Sequence, residues 1–134
     1  MSPTPVFHWP LRVYWEDTDA GGVVYHAGYL RFLERARSEW LRARGVSQRE
    51  LARAPGLVFA VIEMQLAFKA PARLDDELVV SVEVLARRPA SLEFSQHVVR
   101  CSDNRSLLKA RVRVACLDAE RFAPRAIPAD LFPE

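Results

Sequence analysis

The sequence predicts an α+β domain in which one long helix packs on an antiparallel sheet. An apolar stripe at helical spacing runs from about Ala27 to Arg44. Four later segments alternate apolar and polar residues, and the connections between them are too short for parallel crossovers. The chain has 134 residues and a mass of 15.2 kDa, which fits one domain over positions 1–134.

The N-terminal strand is expected from Leu11 to Glu16, where Leu11, Val13 and Trp15 alternate with Arg12, Tyr14 and Glu16 behind the breaker Pro10. Asp17-Thr18-Asp19-Ala20-Gly21-Gly22 reads as a loop. The helix then presents Tyr29, Leu33, Ala36, Trp40 and Ala43 on one stripe, and Arg31, Glu34, Arg35, Ser38, Glu39 and Arg42 largely on the other. Gly45 suits the position after its end, where φ is positive. Ser47 suits the cap of a short turn from Gln48 to Ala54 that stops at Pro55.

The remaining strands carry Ile62, Met64, Leu66 and Phe68; Leu78, Val80, Val82 and Val84; Leu92, Phe94, Gln96 and Val98; and Leu108, Ala110, Val112, Val114 and Cys116 on one face each. Val79, Leu85 and Val99 leave the other face half apolar, which suggests that it meets a partner, most simply another copy. The segment from Phe122 to Glu134 is expected to pack as irregular chain.

Composition narrows the function. A net charge of +2 gives no strong nucleic-acid field. The longest apolar run, Gly56 to Ile62, is far short of the ~20 residues that cross a bilayer. The start MSPTPVFHWP has no signal-peptide pattern, so a cytoplasmic protein is the simplest expectation. Cys101 and Cys116 fall in separate candidate strands without CxxC spacing and are expected to be small core residues. His8, His26 and His97 lack ligand spacing, so neither a metal nor a cofactor is expected. No GxSxG element signals a serine nucleophile.

The chemistry-bearing segment is Tyr14 to Tyr29, YWEDTDAGGVVYHAGY. It sets two carboxylates ahead of two glycines and a helix start. A helix N-terminus offers free N–H groups and partial positive charge, which suit an anion or oxyanion. A carboxylate beside such a site can attack a carbonyl or activate water. The residues alone also allow a plain reading, in which Asp17 or Asp19 caps the helix and Gly21-Gly22 is only a turn.

The run WEDTDAGGVVYHAGYLRFLERARSEWL resembles the signature of the YbgC-like acyl-CoA thioesterases, in the 4-hydroxybenzoyl-CoA thioesterase branch of the hotdog-fold superfamily. The resemblance covers nearly the whole chain. It implies a hotdog fold, one long helix wrapped by a five-stranded antiparallel sheet, and hydrolysis of acyl-CoA to free acid and CoA. It implies Asp19 as nucleophile or general base, with the helix N-terminus near His26 polarising the carbonyl and Asp17 left as a turn or cap residue. It implies Arg87 and Arg88 for the CoA phosphates, although Pro89 stands where a third basic residue is usual. Tyr25, Tyr29, Phe59, Val61 and Glu63 are candidates to line the acyl pocket. Family habit implies a homodimer with the site between protomers, paired further into a tetramer. The same resemblance implies a link to the Tol-Pal envelope system. The competing reading is a non-catalytic or acyl-carrier-protein-directed hotdog protein that acts as a binding partner in envelope or lipid metabolism, with Lys109, Arg111 and Arg113 meeting an acidic carrier.

Overall fold

The computed structural model describes residues 6–132. Five antiparallel strands form one sheet: β1 (Phe7–Arg12), β2 (Leu57–Phe68), β3 (Glu77–Arg88), β4 (Ser91–Arg100) and β5 (Arg105–Asp118). Their spatial order is β1-β3-β4-β5-β2. Helix α1 (His26–Ala43) crosses one face, and the short α2 (Gln48–Arg53) leads into β2. This is the α+β arrangement of one helix wrapped by five strands that the sequence implies.

The core lies between α1 and the inner face of the sheet. Tyr29, Phe32, Leu33, Ala36, Trp40 and Leu41 of α1 are buried against Leu78, Val80, Val82, Phe94, Val98, Val112 and Val114. Ala43 is exposed, while Phe32 and Leu41 join the buried stripe. Gly45 closes the helix at φ 79°, with its N–H and that of Val46 donating to Arg42 O and Leu41 O at 3.0 Å. The Ser47 hydroxyl accepts from Glu50 N at 3.2 Å and caps α2.

Three expectations change. The first strand begins at Phe7 and ends at Arg12, because Pro10 sits inside an edge strand, where a missing N–H is tolerated. Trp15–Asp17 is a single 3-10 turn instead of the strand's end. Second, a bulge between Val61 and Glu63 shifts the register of β2. Phe59 and Val61 pair with the inward Cys116 and Val114, whereas Met64, Leu66 and Phe68 pair with the inward Val112, Ala110 and Leu108. Ile62 is therefore the extra residue and is 53% exposed. Third, Cys101 lies in the turn after β4 and is exposed, while Cys116 is buried in β5.

The two edges of the sheet differ. β1 is six residues long and contains Pro10. β2 is twelve residues long and carries the exposed apolar side chains of Val61, Ile62 and Phe68. After β5 the chain runs back irregularly along the sheet and buries Ile127 and Phe132. Pro133 and Glu134 lie outside the described residues. Among the described residues, no helix is long and apolar enough to cross a membrane.

Candidate active site

The Asp17–Asp19 loop is built by its own backbone and carboxylates. Asp17 is buried, and its Oδ2 accepts from Tyr14 N at 2.8 Å. That fixes the 3-10 turn and leaves Asp17 occupied, in the turn role expected of it. Two residues on, Asp19 N donates to Val23 O and Gly22 N donates to Asp19 O, each at 2.9 Å. Thr18 pairs with Val24, so the loop doubles back onto Val23 and Val24, just ahead of the residue that precedes α1. Gly22 takes φ 77°, a conformation that favours glycine.

Asp19 is exposed, and its Oδ1 accepts from Gly21 N at 2.8 Å. This Asx turn aims the carboxylate without consuming both oxygens. Neither aspartate caps α1. The residue before the helix is Tyr25, and no side chain accepts from the first turn. Gly28 N donates back to Tyr25 O at 2.8 Å. The N–H groups of His26 and Ala27 precede the first intrahelical bond and point out of the helix start with its partial positive charge. The backbone is close here: a Cβ at Gly28 would stand 3.0 Å from Val24 Cγ1, a tight contact that would push on that side chain.

Aromatic rings surround this corner. His26 is exposed and meets Tyr25 edge-on at 5.2 Å and Phe68 at 5.6 Å. Tyr25 is 56% exposed. Tyr29, expected to line the pocket, is instead buried among Phe32 and Phe68, and its hydroxyl accepts from Ala72 N at 3.0 Å. Burial pushes that phenol above its ordinary pKa, so it stays a neutral anchor for the loop between β2 and β3.

The other expected residues do not join this corner within one chain. Glu63 follows the bulge and stands on the outer face beside Arg113 at 3.5 Å. It lines no pocket with Phe59 and Val61, because the extra residue Ile62 reverses its side. Arg87 and Arg88 end β3, at the opposite end from Glu77, which pairs with Arg12 just before the Asp19 loop. They point to opposite faces. Arg87 pairs with the inward Leu92, donates to Phe132 O and stacks over the Phe132 ring at 5.7 Å, while Arg88 pairs with Ser91. Arg111 donates to Glu93 at 3.1 Å, so the basic row expected to meet a carrier is largely neutralised by its own carboxylates.

The cavity that sequence reading reached only through Phe59 and Val61 has a volume of about 290 Å³. It lies between the C-terminal half of α1, the start of β2 and Phe132, with Trp40 and Phe94 in its wall. Arg37 lines it and is buried, and burial holds its guanidinium below the ordinary arginine value. The spacing signal was present, since Arg37 follows Ala36 and lies four residues from Leu33 on the apolar stripe.

A thioesterase-like superfamily model matches residues 13–132. The acyl-CoA thioester hydrolase YbgC of Escherichia coli O6:H1 is 47% identical over 98% of this chain and 96% of its own. The chain belongs to the YbgC family of acyl-CoA thioesterases. The Haemophilus influenzae member is 44% identical over 93% of this chain and 90% of its own. Among solved structures, a probable thioesterase from Bartonella henselae superposes with a TM-score of 0.87 at 35% identity, covering 92% of this chain and all of that one. A 4-hydroxybenzoyl-CoA thioesterase solved with 4-hydroxybenzoyl-CoA shares the fold, with a TM-score of 0.85 at 21% identity over 94% of this chain and 95% of its own. In this family member, as described above, the conspicuous loop and the cavity stand at opposite ends of α1.

Proposed function

We propose that the protein hydrolyses the thioester of an acyl-CoA to the free acid and CoA, with Asp19 as nucleophile or general base. The observation that carries this is the pairing of an exposed, singly held carboxylate with an uncapped helix start across the Thr18–Val24 bridge. In the general-base route, Asp19 takes a proton from water as the water oxygen attacks the thioester carbon; the tetrahedral adduct then collapses, the C–S bond breaks and CoA leaves as the thiolate, which the proton on Asp19 can neutralise. In the nucleophilic route, a carboxylate oxygen attacks first, CoA leaves as the thiolate, and water cleaves the resulting anhydride. In both, negative charge develops on the carbonyl oxygen, where the amide of His26 and the helix dipole stabilise it. The His26 ring and Tyr25 flank the thioester. Replacing Asp19 by Asn and measuring hydrolysis across acyl-CoAs tests the assignment.

The working unit in this reading is a homodimer paired through β2. That edge is long, flat and apolar, whereas β1 is short and contains a proline. A two-fold axis on β2 makes the pairing antiparallel. It lays the Phe68 end of one copy, with its His26 and Asp19 loop, beside the Leu57 end of the other, where the cavity lies. It also brings Arg87 and Arg88 of the other copy to the same end, four strand spacings or about 19 Å from the first copy's β2. That lies within reach of an extended pantetheine arm, so the CoA phosphates meet the rim there. The cytoplasm, where acyl-CoA is available, is the corresponding location. A further pairing of dimers into a tetramer through the half-apolar outer face belongs to the same reading.

A further inference from the structure

The mechanism leaves one buried charge unused. Arg37 is 9% exposed in a wall that is otherwise largely aromatic and aliphatic. Among the described residues, Arg37 forms no ion pair, and its one side-chain hydrogen bond is to Gln96, with Arg37 Nη1 donating to Oε1 at 2.9 Å. Gln96 is itself fully buried, in a β4 row of Leu92, Phe94 and Val98, and its Nε2 donates to Leu33 O at 3.1 Å. Both ends of that amide are spent on holding the guanidinium in place. An apolar pair would fill the same space without the cost of burying an ion. The arrangement makes sense if the remaining N–H groups of Arg37 meet something that enters the cavity. Glu34, exposed at the same cavity one helical turn away, makes no ion pair with Arg37, and its charge offsets only part of the effect of burial on the guanidinium.

We propose that Arg37 reads the far end of the acyl group, so that acyl chains ending in a carboxylate are preferred to plain alkyl chains of the same length. This deepens the thioesterase reading and rests on it. A planar guanidinium pairs a carboxylate bidentately, and in a desolvated pocket such a contact is strong. The cavity volume of about 290 Å³ is that of roughly ten water molecules, room for a medium chain with its terminal group.

The test compares kcat/KM for octanoyl-CoA and suberoyl-CoA, which share a chain length and differ in the terminal carboxylate, alongside shorter and longer pairs. The wild type should favour the carboxylate-ended member by about tenfold or more at its best length, and Arg37→Met should abolish that ratio, lowering suberoyl-CoA turnover far more than octanoyl-CoA turnover. Arg37→Lys keeps a charge but loses the fork, and should lower the ratio severalfold. A second measurement needs no turnover: free suberate, and not octanoate, should raise the thermal midpoint of the wild type but not of Arg37→Met. Suberate protection that depends on Arg37, in a protein that hydrolyses no acyl-CoA, would sink the thioesterase reading and keep the anion site. Equal turnover of every pair, or a ratio untouched by both variants, overturns the proposal and leaves the thioesterase reading standing.

Discussion

The two ends of α1 are built on opposite terms. Its N-terminal end is open: Asp19, Tyr25 and His26 are exposed, the first amides are uncapped, and the carboxylate keeps an oxygen free. Its C-terminal half is closed around a cavity, with Arg37 clamped by Gln96 and the helix finished by Gly45. One end has the groups for a reaction and nothing to hold a substrate's chain. The other has walls and a fixed charge, and its carboxylate, Glu34, lies mid-helix, away from the uncapped helix start. In the proposed dimer each would be half of a site, and the β2 edge, at whose ends both lie, would bring the halves of two copies together.

The largest expected effect separates the two aspartates at the open end. Asp19→Asn should reduce acyl-CoA hydrolysis by at least about 100-fold with the fold intact, the scale for losing an acid–base group. Asp17→Asn keeps an acceptor for Tyr14 N and should affect turnover far less. Steady-state assays with circular dichroism on both variants decide this, and near-normal turnover by Asp19→Asn would remove the carboxylate from the mechanism.

Next comes the edge that would join the two ends. Ile62→Lys puts a charge at the exposed bulge of β2, where pairing should no longer close. Light scattering during size exclusion should show a 15.2 kDa monomer and assays should show activity reduced by more than about tenfold, since proper geometry is lost. An active monomer would mean that one chain holds a whole site.

A smaller effect distinguishes the two arginines at the end of β3. Arg88→Ala should raise KM for acyl-CoA about fivefold, more at low salt, with kcat unchanged, as expected for a partly exposed phosphate contact. Arg87→Ala should also lower stability, because it releases Phe132. If neither changes KM, the phosphates are held elsewhere, with Lys69 and Arg73 near the open corner the next candidates.

The smallest effect concerns the returning C-terminal segment that covers the closed end. Asp118 accepts from the backbone N–H of Arg121 and of Glu120, both at 2.9 Å, and faces Arg125, which together hold its carboxyl below the ordinary value. Its contribution is therefore complete above the unfolded carboxylate pKa of about 3.9 and is lost as pH falls through the lower folded value. Acid titration followed by Trp40 fluorescence, which senses Phe132 stacked at 5.3 Å, should report loosening only below about pH 4, and Asp118→Asn should remove that step.

The open end was the more legible of the two from sequence. Its parts are contiguous from Tyr14 to Tyr29, so turn chemistry and a helix start could be read directly, and the motif named the family. The helix itself began one residue earlier than its apolar stripe suggested. The closed end draws on α1, β2, β4, β5 and the segment after β5, and no local pattern joins them. Two particulars show why. The bulge at Ile62 changes which residues of β2 face inward, so Phe59 and Val61 line the cavity while Glu63, grouped with them as a pocket candidate, stands on the outer face that the alternation with Met64, Leu66 and Phe68 implies. Arg37 sits on an apolar stripe, where a charge looks like an outward residue until its partner Gln96, fifty-nine positions away, is seen.

Subunit complementation tests the shared site most directly. Asp19→Asn leaves the cavity intact, and Ser38→Trp fills the cavity while leaving Asp19 intact. Each variant alone should be nearly inactive. If every site takes Asp19 from one copy and the cavity from the other, unfolding and refolding an equal mixture should restore roughly a quarter of the wild-type rate, carried by mixed dimers with one good site. A mixture no more active than its two components would contradict the account and place the whole site within a single chain.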